Sequence, residues 1–210
     1  MRIFYNVVRK LTRFVATAIG KQNLRLAGVQ FGKGLVLYGI PIVSAEKDTC
    51  IEVGQRVVLC SWSEYTDLGI NHPVVLRTLA LGAELIIGDD VGISGATICA
   101  AKSVAIGAKT MLGANVIISD TDFHSLLPEN RRYNKDTNTI QVAEVKIGEN
   151  VFIGANSIIL KGVCIGKNSV IGAGSIVTNN IPDNVIAAGN PCRVIRNLDV
   201  SRENYSGAIR

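Results

Sequence analysis

The sequence predicts a mainly β fold, a parallel β-helix in which every six residues make one short strand and one turn. From residue 147 onward an aliphatic residue stands at each sixth position: Ile147, Ile153, Ile159, Ile165, Ile171 and Val177. Glycine follows four of these anchors directly, as Gly148, Gly154, Gly166 and Gly172. The chain is also 48% hydrophobic but only 5% aromatic over 210 residues, so its apolar content is chiefly Ile, Val, Leu and Ala. β-Branched side chains favour extended backbone, and neither a helical period of 3.6 nor an alternation of two produces a strict six. Four residues after each anchor comes a small or β-branched residue: Val151, Ser157, Val163, Ser169, Ser175 or Ile181. Three such units close one triangular coil, and coils stack at the roughly 4.8 Å spacing of paired strands.

Taken in order, residues 1–30 are expected to form an amphipathic helix and linker. Ile3, Phe4, Val7, Val8, Leu11, Phe14, Val15, Ala18 and Ile19 follow helical spacing, with Arg2, Arg9, Lys10 and Arg13 among them. The segment is too polar to span a bilayer. It is read as docked on its own protein, with a weak membrane-surface contact through residues 1–20 as the other reading. Residues 31–198 form the β-helix. Its early copies are Phe31, Leu37 and Val43, then Val53 and Leu59. Leu81, Ile87, Ile93 and Cys99 keep the beat, one extra residue near Ala105 shifts it, and Ile106, Leu112 and Ile118 resume. About six coils follow. An excursion fills residues 119–146, and residues 199–210 are a C-terminal tail.

The formal charge of +5 and pI near 9.0 suit solubility or an anionic partner. There is no run of five like charges and few aromatics, so no nucleic-acid partner is expected. Five scattered cysteines without a C-x-x-C pair give neither a disulfide framework nor a zinc site, and a cytoplasmic location fits. The basic helix would place the protein peripherally at the inner membrane face.

Chemistry is expected where the beat stops. A long polar excursion from a regular solenoid is usually functional or disordered, and this one carries Asp120, Asp122 and His124, then Arg131 and Arg132. Only two histidines exist, so one placed here is informative. An imidazole with an unperturbed pKa of about 6.5 is mostly neutral at pH 7 and can take a proton from an attacking hydroxyl. Asp120 or Asp122 could orient that ring. No cysteine neighbours His124 in sequence, which favours direct transfer in a ternary complex over an acyl-enzyme.

The hexads resemble those of the hexapeptide-repeat acyltransferases, and the stretch ISDTDFHSLLPENRR resembles the catalytic loop of their galactoside- and maltose-type sugar O-acetyltransferases. The resemblance implies a left-handed coil, although parallel crossovers are generally right-handed. It implies acetyl-CoA as acyl donor, a sugar acceptor, His124 as catalytic base, and Arg131 or Arg132 as the arginine beside the substrate. It also implies a homotrimer with active sites between subunits. The segment AGSIVTNNIPDNVIAAGNPCRVIR resembles the family's CoA-binding end, implying cofactor contacts at Ala155, Ala173, Thr178, Arg193 and Arg196. Thr178-Asn179 stands where the galactoside enzyme has Thr-Lys. Residues 69–95 instead resemble acetyltransferases of cell-surface polysaccharide synthesis, which places Asn71, His72 and Ser94 near the acceptor. No metal is expected: a carbonic anhydrase on this scaffold needs three histidines. The other readings are transfer to an amino sugar or a non-sugar acceptor, and a non-catalytic structural β-helix.

Overall fold

The computed structural model describes residues 2–129 and 131–198, with side chains from residue 9 onward. The expected tail at 199–210 lies outside the described residues, as do the side chains of Ile3, Phe4, Val7 and Val8. Six coils follow the N-terminal helix, each with one strand on each of three faces. Coil one is Gln30–Phe31, Val36–Tyr38 and Ile42–Ser44; coil two is Cys50–Val53, Val58–Cys60 and Val75–Thr78. Coil three is Glu84–Ile87, Gly92–Ser94 and Thr97–Ala100; coil four is Ser103–Ile106, Met111–Leu112 and Ile117–Ser119. Coil five is Val145–Ile147, Phe152–Ile153 and Ile158–Ile159; coil six is Cys164–Ile165, Val170–Ile171 and Ile176–Val177. Every pairing between successive coils is parallel. An antiparallel pair, Val185–Ala188 with Arg193–Asn197, ends the second face.

The anchors stack in three columns inside the coil. The first face contributes Phe31, Val53, Ile87, Ile106, Ile147 and Ile165. The second contributes Leu37, Leu59, Ile93, Leu112, Ile153 and Ile171. The third contributes Val43, Leu76, Ile98, Ile118, Ile159 and Val177. Two expected anchors are corrected. Leu81 is 76% exposed in a turn, and Ile98, not Cys99, lies in register with Ile118. Leu81 falls in a connection that takes eleven residues from Leu76 to Ile87 where six would keep the beat. For Cys99 the cause is corner length, since Ser94-Gly95-Ala96 in coil three does the work of Gly113-Ala114-Asn115-Val116 in coil four. One residue is lost there, and two are gained before Ile106.

Glycines at the corner between the first and second faces let the coils approach closely. A methyl group on Gly107 would lie 2.5 Å from the carbonyl carbon of Gly148 in the next coil. Gly107→Ala is therefore expected to cost about 1–3 kcal/mol in urea unfolding. Gly92→Ala, whose methyl would meet open space, should change stability by less than about 0.5 kcal/mol. The same corner carries an asparagine ladder in the left-handed region. Asn150 Nδ2 donates to Asn168 Oδ1 (3.0 Å) and Asn168 Nδ2 to Asn184 Oδ1 (2.8 Å). Asparagine tolerates that backbone better than other non-glycine residues.

The N-terminal helix, Arg2–Leu26, caps coil one. It stops in a Schellman turn: Val29 N–H donates to Leu24 O and Gly28 N–H to Arg25 O, with Gly28 at φ 76°. It docks on its own protein by the face opposite to its apolar stripe. Ala16, Gly20 and Leu24 are buried, and the Thr17 hydroxyl donates to Leu37 O at 2.9 Å. Leu11, Phe14, Val15 and Ile19 are exposed. Small side chains win the inner face because Gly20 sits against Leu37 and Pro41, where bulk has no room.

Candidate active site

The excursion leaves the third-face strand of coil four and re-enters the first face at coil five, so it projects from the corner between those faces. Its base is a short antiparallel ribbon in which Thr121 bridges Val142 and Ala143 N–H donates to Asp120 O. Asp120 is fully buried. Its carboxylate accepts from the backbone amides of Ala101 (2.7 Å), Lys102 (2.7 Å) and Ser103 (2.8 Å). Asp120 therefore clamps the loop to the preceding turn, and the sequence expectation that it orients the histidine gives way to this structural task. Asp122 pairs with Lys161 at 2.8 Å, both side chains being largely buried. Its second oxygen, Oδ2, is the one buried side-chain polar atom among the described residues with no hydrogen-bond partner.

Directly after Asp122 the backbone reverses. His124 N–H donates to Asp122 O at 2.7 Å across Phe123, which has φ 60°. An i-to-i+2 bond around a positive-φ residue is a γ-turn of the rarer, strained kind, and strain of this sort gathers at functional sites. It delivers His124 to the surface, and among the described residues the ring has no hydrogen-bond partner. Arg131 is folded back on the loop, donating to Leu126 O (2.8 Å) and Leu127 O (3.3 Å). The Arg132 guanidinium lies 5.7 Å from the centre of the Tyr133 ring.

A second cluster occupies the corner between the second and third faces. Asn71 N–H donates to Asn115 Oδ1 (2.8 Å), and Asn115 N–H donates to Ser94 O (3.1 Å). His72 Nδ1 lies 2.7 Å from Pro73 O, and a carbonyl can only accept, so Nδ1 carries hydrogen. That leaves Nε2 facing the Thr97 hydroxyl at 3.5 Å. Ser94, Gly113, Ala114, Phe152 and Ala155 line a groove of about 380 Å³ with the loop residues Tyr65–Leu68. Ala173 lies one coil further along the same corner, packed near Gly154. Thr178 follows the third-face strand of coil six and so lies on the loop's corner. Arg193 and Arg196 stand on the last strand, at the end of the second face.

The structure thus gathers Asn71, His72, Ser94, Ala155 and Ala173 at one corner, and His124 with Asp122 at the other end of the third-face strands. Sequence reasoning missed Tyr65 and Phe152, which wall the groove, and Lys161, which pairs with Asp122. Lys161 did leave a signal, because Leu160-Lys161-Gly162 stands where glycine follows four of the six anchors from Ile147 to Val177. Burial pushes the thiols of Cys60, Cys99 and Cys192 up from the ordinary range, which disfavours these three as nucleophiles. The described residues hold no cluster of three metal-ligating side chains.

A six-coil solenoid interrupted by two histidine-bearing loops, residues 61–74 and 120–144, with a small-residue groove along a corner, defines a class of repeat protein that known sequences and folds extend. Residues 144–179 match the family described as hexapeptide repeat of succinyl-transferase. The galactoside O-acetyltransferase of Lactococcus lactis is 47% identical over 98 residues, covering 47% of this chain and 45% of that enzyme. WbbJ of Escherichia coli K12, provisionally named a lipopolysaccharide biosynthesis O-acetyl transferase, is 33% identical over 129 residues, 59% of this chain and 66% of WbbJ. The chain spans about half the length of the galactoside acetyltransferases it matches. A Bacillus cereus N-acyltransferase, AntD, solved with a dTDP-amino sugar and coenzyme A, superposes with a TM-score of 0.67 at 18% identity, covering 86% of this chain and 90% of that one. The chain carries the hexapeptide repeat, and its fold is the left-handed parallel β-helix.

Proposed function

We propose that the protein is an acetyl-CoA-dependent O-acetyltransferase acting on a hydroxyl of a sugar or cell-surface polysaccharide precursor, with His124 as general base. The observation that carries this reading is the His124 ring itself, exposed, without a partner among the described residues and held outward by a strained turn on a clamped loop. The acceptor oxygen attacks the thioester carbonyl carbon while the imidazole takes the hydroxyl proton. The carbon–sulfur bond then breaks, and the proton passes to the departing thiolate. Asp122 Oδ2, which lacks a partner, is the carboxylate available to hold the ring and stabilise its protonated form. Transfer is direct, in keeping with the buried, raised thiols of Cys60, Cys99 and Cys192. Acetyl-CoA is the acyl-donor substrate; its pantetheine suits the groove floored by Gly113, Ala114 and Ala155, and Arg193 and Arg196 suit its phosphates.

Because His124 and the groove lie at opposite ends of the third-face strands, a complete site needs two copies, the loop of one meeting the groove of the next in a closed homotrimer. A release assay with a thiol reagent, acetyl-CoA and a panel of saccharides tests the activity. Saccharide-dependent thiol release is expected; release with amino sugars alone would assign N-acetylation instead. Mixing tests the shared site. His124→Ala and Ala155→Trp should each be inactive alone, and co-refolded mixtures should regain about a quarter of wild-type activity, since each site draws its halves from two subunits. No recovery would place both halves in one chain.

A further inference from the structure

We propose that the outward face of the N-terminal helix is a docking surface for an anionic lipid bilayer. This stands apart from the acetyl-transfer reading and rests on the helix alone. Leu11, Phe14, Val15, Ala18, Ile19 and Leu26 are all exposed, Phe14 at 73% and Leu26 at 78%. At 100° per residue they fall within an arc of about 140° on one side of the helix. The opposite side, Ala16, Gly20 and Leu24, is already spent on coil one. The apolar stripe therefore contributes nothing to holding the helix on its own protein.

Charge decides the occupant. The helix from Arg2 to Leu26 contains six basic residues and no acidic one. Lys10 and Lys21 border the stripe along the Phe14 edge, Arg25 and Gln22 fall within its C-terminal part, and Lys10, Gln22 and Arg25 are exposed. An apolar stripe with a basic margin lies in the plane of a membrane interface, apolar side chains entering the acyl boundary and lysines reaching the headgroups. A positive helix without compensating carboxylates does not suit a second copy of itself, where its charges would face their own kind. No helix among the described residues is long and apolar enough to cross a membrane, so the contact is a surface one. Fixing the helix to coil one also fixes which end of the solenoid faces the lipid.

Flotation of the full-length protein with vesicles tests this. Wild type should bind vesicles of phosphatidylcholine with 30% phosphatidylglycerol at least tenfold more strongly than phosphatidylcholine alone. Phe14→Ser with Ile19→Ser, both at exposed positions, should lose at least tenfold of that binding with an unchanged circular-dichroism melt. Lys10→Gln with Lys21→Gln should lose most of the preference for the anionic vesicles. Equal binding by wild type and the Phe14/Ile19 variant, or no binding by wild type, overturns the proposal. So does a Phe14/Ile19 variant that changes mass in light scattering while its vesicle binding stays the same, because the stripe would then join copies of the chain.

Discussion

Replacing His124 with alanine should lower kcat by about 10²–10⁴-fold, the usual worth of a positioned general base. The thermal midpoint should hardly move. The ring is exposed and has no partner among the described residues, so its removal opens no cavity and strands no donor there; surface changes of that kind stay within about 0.5 kcal/mol. The γ-turn that presents it is a backbone feature, with Phe123 rather than His124 in the left-handed region. Acetyl-CoA affinity should be preserved for the same reason. Initial rates of thiol release, read beside a melting curve and a CoA titration, separate these outcomes. A variant that keeps more than a third of the wild-type rate would remove the histidine from the chemistry.

Replacing Asp120 with alanine should produce the largest loss of stability at any single loop position. Three backbone N–H groups, of Ala101, Lys102 and Ser103, end on one fully buried carboxylate. Without it these donors are left facing a cavity, and each buried unsatisfied donor costs about 1–3 kcal/mol. Partial access of water reduces the sum, so a loss of about 3–5 kcal/mol is expected. For a chain of this size that lowers the melting midpoint by about 10 °C. Asp120→Asn should recover little, since its amide nitrogen would point a donor at donors. The loop should also detach before the solenoid melts. Tryptic cleavage after Arg131 or Arg132 should therefore accelerate at temperatures where circular dichroism is still native. A stability change under about 1 kcal/mol would show that the clamp is not what holds the loop. The two aspartates of one short motif thus divide their labour: Asp120 holds the loop down, and Asp122 keeps one oxygen for Lys161 and one unengaged.

The repeat was the most legible feature of the chain. A column of identical side chains needs only that residues six apart point the same way, and periodicity of that kind is written locally. Cys99 was misread because its corner is one residue short, and Leu81 because five extra residues lie between the anchors Leu76 and Ile87. The sequence alone does not show that Gly95, at φ 55°, completes its corner in fewer residues. His124 could be picked out as a lone imidazole where the beat stops. Lys161 could not be paired with Asp122, because 39 residues of chain separate them and only stacking of coil five beside the loop brings them together.

The inverted helix makes the same division visible. Its amphipathic pattern was plain in the sequence, yet the apolar stripe looks outward while Ala16, Thr17, Gly20 and Leu24 meet the coil. Hydrophobicity says which residues prefer to leave water, whereas close packing on Leu37 demands small ones. Local pattern was enough to specify a six-residue coil, its interrupting loop and the imidazole on it. Which carboxylate anchors, which helix face docks and which corner holds the groove were settled by contacts between distant segments, and those depend on shape and distance that no spacing in the chain records.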